Sequence, residues 1–266
     1  MSINRIEACL DKLKERQEKA FITYLTAGLL DMEKTKELVR AQERAGCDII
    51  ELGIPFSDPI ADGPVIQQAS YEAIQNGATL KKIFACLEEL RAEGVQVPIV
   101  FMMYYNTIVH YGVQAFADKC KEAGVDGLIV PDLPFEEQDE LMQALSDSDK
   151  TILLQLVSPV SAQRIPMILE HARGFVYCVS QMGVTGQGAA FHSKVAEYLA
   201  SVKAQSKIPV MMGFGIRTAA DVAPVKEHID GAIVGTHFIE LLRENNFEAK
   251  AAEDYIKNFK KELNAM

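Results

Sequence analysis

The chain lacks the marks of several protein classes. Its five cysteines, Cys9, Cys47, Cys86, Cys120 and Cys178, are scattered, and none sits in a Cys-x-x-Cys pair. An odd, unspaced set reads as reduced, buried thiols rather than a disulfide framework. The five histidines (His110, His171, His192, His228 and His237) show no ligand spacing, so no metal site is expected. No apolar run approaches the ~20 residues of a membrane span. The stretch Met1–Lys19 carries charge throughout, without the apolar segment of a secretory signal. Excess positive charge is missing too: the net charge is −10. A nucleic-acid surface needs basic groups to displace phosphate counterions, so none is expected here. Backbone amides could still bind one small phosphate. These absences place the chain in the cytoplasm, with neither a membrane nor a nucleic acid as partner.

What remains is an ordinary globular composition, 48% hydrophobic and 24% charged. Eight short apolar runs begin near Phe21, Ile49, Ile99, Leu128, Ile152, Phe175, Val210 and Ala232. Few of them alternate with polar residues, which fits parallel strands covered on both faces. Helical patterns fill the intervals. Asp31 and Thr79 are placed to cap two of them, and Gly124 to end another. Further helices are predicted over 137–145, 161–172, 192–202 and 218–227, with Pro166 making the second of these start irregularly or kink. Strand and helix alternate with no Ser/Gly linker, so 1–266 is expected to be one domain. The predicted fold is α/β, a single (β/α)₈ barrel. An extra N-terminal helix carries Ile3, Ile6, Leu10 and Leu13 on one face, and additional helices follow strands 2 and 8.

Barrels place chemistry where their strands end. The second strand ends Ile49-Ile50-Glu51-Leu52-Gly53. A carboxylate in an apolar strand is desolvated, which raises its pKa toward the range of a neutral-pH acid–base group. A structural salt bridge would explain the same placement. The loop beyond contains Asp58-Pro59 and Asp62-Gly63-Pro64. Asp62 could be a second catalytic group or simply a helix cap. Glycines recur after the last strands, at Gly183, Gly186 and Gly188, at Gly213 and Gly215, and at Gly235 before Thr236. Clustered at one barrel end beside a helix N-terminus, they suit a phosphate. Arg217 could assist, although a solvated surface arginine fits equally. Tyr24, Met102, Tyr104 and Ile129 fall near strand tops, as pocket walls or as barrel filling.

The fourteen residues Glu51-Leu-Gly-Ile-Pro-Phe-Ser-Asp-Pro-Ile-Ala-Asp-Gly-Pro64 closely resemble the signature of the tryptophan synthase α subunit family. Thr26-Ala27-Gly28, Met103-Tyr104-Tyr105-Asn106, Val130-Pro131-Asp132-Leu133-Pro134, Gly183-Val184-Thr185-Gly186 and Gly213-Phe214-Gly215-Ile216 follow the family's order. The resemblance spans nearly the whole chain. It implies a lyase that cleaves indole-3-glycerol phosphate, with Glu51 as general acid–base and Asp62 facing the indole nitrogen. It also implies a phosphate site of Gly186, Phe214, Gly215, Gly235 and Thr236. Tyr24, Met102, Tyr104 and Ile129 would shape the indole pocket, Tyr177 would lie close to Glu51, and Thr185 would ride on a lid loop. The implied partner is a β subunit in an α₂β₂ complex. Pyridoxal phosphate would belong to that subunit alone, and the present chain would use no cofactor.

Some positions depart from the family's pattern: Leu29-Leu30 after the first glycine turn, Gln181 before the sixth loop, and Thr236 where serine is common. A stand-alone lyase that releases free indole would share every catalytic residue. A barrel that only activates a partner enzyme would be suggested by loss of Glu51 or Asp62, and both are present. Another phosphate-binding barrel, such as a sugar-phosphate isomerase, would not need the signature after strand 2.

Overall fold

The computed structural model describes residues 4–146, 149–179, 189–213 and 215–266. Its parallel strands are β1 (Ala20–Thr26), β2 (Ile49–Gly53), β3 (Ile99–Met102), β4 (Gly127–Ile129), β5 (Ile152–Leu153), β6 (Gln155–Val157), β7 (Val176–Cys178), β8 (Val210–Met212) and β9 (Gly231–Val234). The lateral order is β5-β4-β3-β2-β1-β9-β8-β7-β6. The eight predicted runs are all strands, and the fifth is split at Leu154 into β5 and β6. Its first part pairs with β4 and its second with β7. Between them the Leu154 N–H still donates to the Leu128 carbonyl at 2.9 Å. This split strand closes the (β/α)₈ barrel.

Alternation within each strand separates two cores. Outward side chains such as Phe21, Ile50, Phe101, Leu128 and Val210 pack under the surrounding helices. Inward ones, including Ile22, Ile49, Val100, Phe175, Met211 and Ile233, fill the barrel. The register puts Ile22 opposite both Ile49 and Ile233, so these three share one layer. Helix α1 (Arg5–Arg16) closes the end where the strands begin, burying Ile6, Leu10 and Leu13 against that interior. Asn4 fixes it, accepting from the Ile6 N–H and donating to the Asp126 and Lys150 carbonyls. The fit is close: a Cβ on Gly127 would lie 2.8 Å from Ile6.

Three aspartates just before strands repeat one contact. The Asp48 N–H donates to the Phe21 carbonyl, and the Asp48 carboxylate accepts from the Phe21 N–H at 2.8 Å. Asp126 holds Ile99 in the same two-sided way, and Asp230 holds Val210. Each carboxylate also meets a base: Lys260 for Asp48, Arg91 and Arg5 for Asp126, and Lys203 for Asp230. These clips pin neighbouring strands in register at their N-terminal ends.

The helices follow their predicted signals closely. Asp31 caps α2 (Met32–Ala45), accepting from Lys34 N–H, and Thr79 caps the helix Leu80–Ala92 through Lys82 N–H. Pro64–Gln75 is the other helix after β2. Gly124 ends the helix Val113–Ala123 in the left-handed conformation. Tyr105–Tyr111 forms a helix that periodicity did not indicate, its Tyr105 N–H donating to the Asp132 carboxylate. The predicted 161–172 helix shortens to Ile165–Glu170, with Pro166 in its first turn where a missing N–H costs least. The predicted 218–227 helix is instead two 3₁₀ stretches, Ala219–Asp221 and Ala223–His228, around Pro224. Ala189–Gln205 is the long helix after β7, while Thr236–Glu244 and Ala249–Asn264 end the chain. Phe259 of the last helix stacks on Phe21 at 4.1 Å.

Removing one clip tests its weight. Asp126 is buried, and its loss strips Arg91 and Arg5 of their carboxylate partner and leaves the Ile99 N–H without its acceptor. Asp126→Ala is expected to cost about 3–5 kcal/mol, the usual penalty for breaking a buried pair, read as a lowered urea midpoint.

Candidate active site

The barrel's parity decides which side chains reach its mouth. Glu51 lies two residues beyond inward-facing Ile49, so it faces inward one layer higher. On the adjacent strand Tyr24 is its register partner. Met102 and Ile129 are register partners on β3 and β4, and both pack with the inner cluster. Tyr177 enters the same interior from β7, two residues beyond Phe175. The structure thus gathers Glu51, Tyr24, Met102, Ile129 and Tyr177 at the C-terminal end of the barrel. Leu156, half-buried two residues beyond Leu154, joins them. Sequence reasoning missed Leu156, although the same alternation identifies it.

Glu51 is 2% exposed, and among the described residues its Oε2 has no hydrogen-bond partner. The structural salt bridge that its position allowed is therefore not what holds it. Burial, and then the nearby charge of Asp62, push its pKa up to about 8. Asp62 is not the cap of the helix Pro64–Gln75; Gly63 holds that position without a side-chain bond. The Asp62 carboxylate instead accepts a hydrogen bond from the Tyr104 hydroxyl at 2.9 Å, and that hydroxyl accepts one from the Ala61 N–H. Phe56 stacks on the Tyr104 ring at 5.0 Å. The loop after β2 is thus tied to the chain after β3 at both ring and hydroxyl. Burial raises the Asp62 pKa to about 6, and the Tyr104 bond opposes that rise. Two carboxylates at one mouth therefore titrate on opposite sides of neutrality.

Two glycines make room for the tyrosines. A Cβ on Gly53 would lie 2.0 Å from the Tyr24 hydroxyl oxygen, and one on Gly213 would lie 2.3 Å from that of Tyr177. Each ring therefore lies across the end of a neighbouring strand. The spacing of residues gives no sign of this, because it pairs positions far apart in the chain.

The glycine-rich ends of the last strands lie at the same mouth. Gly215 adopts a φ of +58°, the left-handed region that favours glycine. Gly235 precedes Thr236–Glu244 as its N-cap, and a Cβ added there would lie 3.6 Å from Tyr24. The Gly235 carbonyl accepts from the Phe238 and Ile239 N–H groups. The amides of Thr236 and His237, ahead of them, point out of the helix end, as helix geometry requires. Arg217 is exposed and faces Glu240 at 3.7 Å. Thr185, Gly186 and Phe214 lie outside the described residues. Among the described residues, no group of three His, Cys, Asp or Glu is placed to hold a metal ion.

A (β/α)₈ barrel that gathers a buried carboxylate, a second carboxylate and glycine turns at its C-terminal mouth has the architecture of a barrel enzyme. The family model "Tryptophan synthase alpha chain" matches residues 10–266. A tryptophan synthase alpha chain from Lachnospira eligens is 66% identical, over 99% of this chain and 100% of that one. One from Alkaliphilus metalliredigens is 44% identical, over 98% and 97%. The crystal structure of the subunit from Legionella pneumophila superposes with a TM-score of 0.90 at 34% identity, covering both chains fully. The chain belongs to the tryptophan synthase alpha chain family, and it is a lyase acting on indole-3-glycerol phosphate.

The raised pKa of Glu51 carries a stability consequence. Folding lifts it from 4.5 to about 8. The folded chain therefore keeps a proton that the unfolded chain releases. Glu51 is harmless below its ordinary range and destabilises the fold as pH rises toward 8. Glu51→Gln is expected to melt higher than the parent, by a margin that grows from pH 5 to 8 and then levels. Equal melting temperatures across that range would contradict the burial argument.

Proposed function

We propose that Glu51 and Asp62 share the cleavage of indole-3-glycerol phosphate into indole and glyceraldehyde 3-phosphate. The bond to be broken joins indole C3 to the glycerol chain, and an aromatic carbanion leaves poorly. Glu51, protonated at neutral pH, gives its proton to C3. The ring becomes an iminium that can accept the bonding electrons. The Glu51 carboxylate then takes the proton of the adjacent glycerol hydroxyl as the carbon–carbon bond breaks. Indole and the aldehyde are released, and Glu51 returns to its starting state. Positive charge develops at the indole nitrogen, where ionised Asp62 stabilises it, a contribution of about 3–4 kcal/mol in a closed site. The Tyr104 hydroxyl keeps Asp62 oriented and charged. The observation that carries this reading is the placement of two carboxylates at one mouth, Glu51 buried in the wall and Asp62 held at the rim by the Tyr104 hydroxyl.

Gly215, Gly235 and the amide end at Thr236, together with Gly186 and Phe214, hold the phosphate and so orient the bond. Tyr24, Met102, Tyr104, Ile129 and Tyr177 enclose the indole, and Thr185 belongs to the covering loop. The step needs only proton transfers, so this chain requires no cofactor and no metal. It acts as one domain over 1–266, in the cytoplasm, with a tryptophan synthase β subunit in an α₂β₂ complex. Pyridoxal phosphate serves that partner. The loop carrying Pro55, Phe56 and Asp58 supplies the docking face.

Indole release by the purified chain, with and without a β subunit, tests the assignment. Glu51→Gln and Asp62→Asn should each lower kcat by about 10²–10³-fold while substrate still binds. The parent's kcat/KM should rise as Asp62 ionises near pH 6 and fall as Glu51 loses its proton near pH 8. Asp62→Asn should lose the acidic limb. Substrate binding without indole release by the parent chain, under either condition, would instead support a barrel that only activates its partner.

A further inference from the structure

Tyr24 lines the indole pocket in the reading above, a role that a phenyl ring would fill. Its hydroxyl is placed for something more. Tyr24 and Glu51 are register partners on neighbouring strands, both buried and both inward. The ring leans over the end of β2, where only the missing Cβ of Gly53 admits it. That puts the phenol oxygen above the strand that carries Glu51. Thr26 Oγ1 donates to this oxygen at 3.3 Å. The phenol accepts there, so its own hydrogen remains available. Among the described residues it meets no acceptor. One strand away, Glu51 Oε2 is buried with no donor among the described residues.

A buried donor without an acceptor among the described residues thus lies on the strand next to a buried acceptor without a donor there, a combination that native structures rarely leave idle. We propose that Tyr24 is a positioning residue for Glu51, its hydroxyl donating to the carboxylate as that group gives up its proton. Burial and the charges of Asp62 and Glu51 keep the phenol protonated, and hence a donor. A hydrogen bond that forms with the charge favours the state after transfer over the state before it. Three other groups act on Glu51. Asp62 presses on it from the loop after β2, Tyr104 acts through Asp62 from beyond β3, and Tyr177 faces it from β7. In the lateral order β7 lies four strands from β2, so Tyr177 approaches from across the mouth, whereas Tyr24 stands alongside.

This inference rests on Glu51 being the proton donor, and the experiment separates the two. Tyr24→Phe removes one oxygen and keeps the ring, so its circular dichroism and melting should match the parent. Its kcat should fall between about tenfold and a hundredfold, the range for a hydrogen bond to a charged group, with KM within about twofold. The basic limb of its kcat profile should move to higher pH, because a donor to the ionised form has been lost. Unchanged kcat with an unmoved limb would overturn the proposal, as would a rise in KM alone, which would make the hydroxyl a plain substrate contact. Glu51→Gln is run in parallel. Retained turnover there would remove the Glu51 assignment, and the Tyr24 proposal with it. An inactive Glu51→Gln beside an unaltered Tyr24→Phe would remove only the latter.

Discussion

Where each strand begins decides what stands at its other end. Asp48, Asp126 and Asp230 each grip a residue near the start of a neighbouring strand twice, the carboxylate accepting from its N–H and the aspartate's own N–H donating to its carbonyl. Side chains alternate with a period of two, so a slip of one residue would turn Glu51 out toward the helices and bring Ile50 or Leu52 inward. The clips sit at the end remote from the chemistry, yet they set the parity on which Tyr24, Glu51 and Met102 depend. Barrels commonly divide labour this way, with stability at one face and reaction at the other.

The mouth is built from a single contrast. Glu51 is buried inside the wall with no partner for its Oε2 among the described residues, whereas Asp62 is held at its rim by a tyrosine hydroxyl. The same residue type in both places would have the same intrinsic acidity; the surroundings pull the two apart. Rigidity serves the contrast. Phe56 stacked on Tyr104 keeps the loop after β2 from carrying Asp62 away, and the glycines at 53 and 213 let two large rings wall the pocket without pushing the strands apart. The buried glutamate is a standing cost to the fold, of the kind natural proteins accept at sites of function.

Much of this was legible in the chain. Eight apolar runs located the strands because parallel strands are covered on both faces, and Asp31, Thr79 and Gly124 marked helix ends through local chemistry. Glu51 stood out as a charge inside such a run. The illegible parts share one cause, which is contact between distant segments. Nothing local to Leu154 announces that strand pairing passes from β4 to β7 there. Nothing local to Asp62 chooses Tyr104 over the helix N-terminus as its partner. Gly53 reads as a turn until Tyr24 is seen lying across it. The helix over 105–111 depends on Asp132 of another loop for its first amide, and Pro224 turned a periodic stretch into two tight 3₁₀ pieces.

The helix that plugs the far end of the barrel has a consequence for traffic. With Ile6, Leu10 and Leu13 packed into the interior and Gly127 leaving room for Ile6, the barrel is stoppered at the end where its strands begin. Substrate and both products use the same opening. Whatever covered that opening would receive what leaves by position alone, without recognising it, and product loss to solvent would be a matter of how well the lip seals.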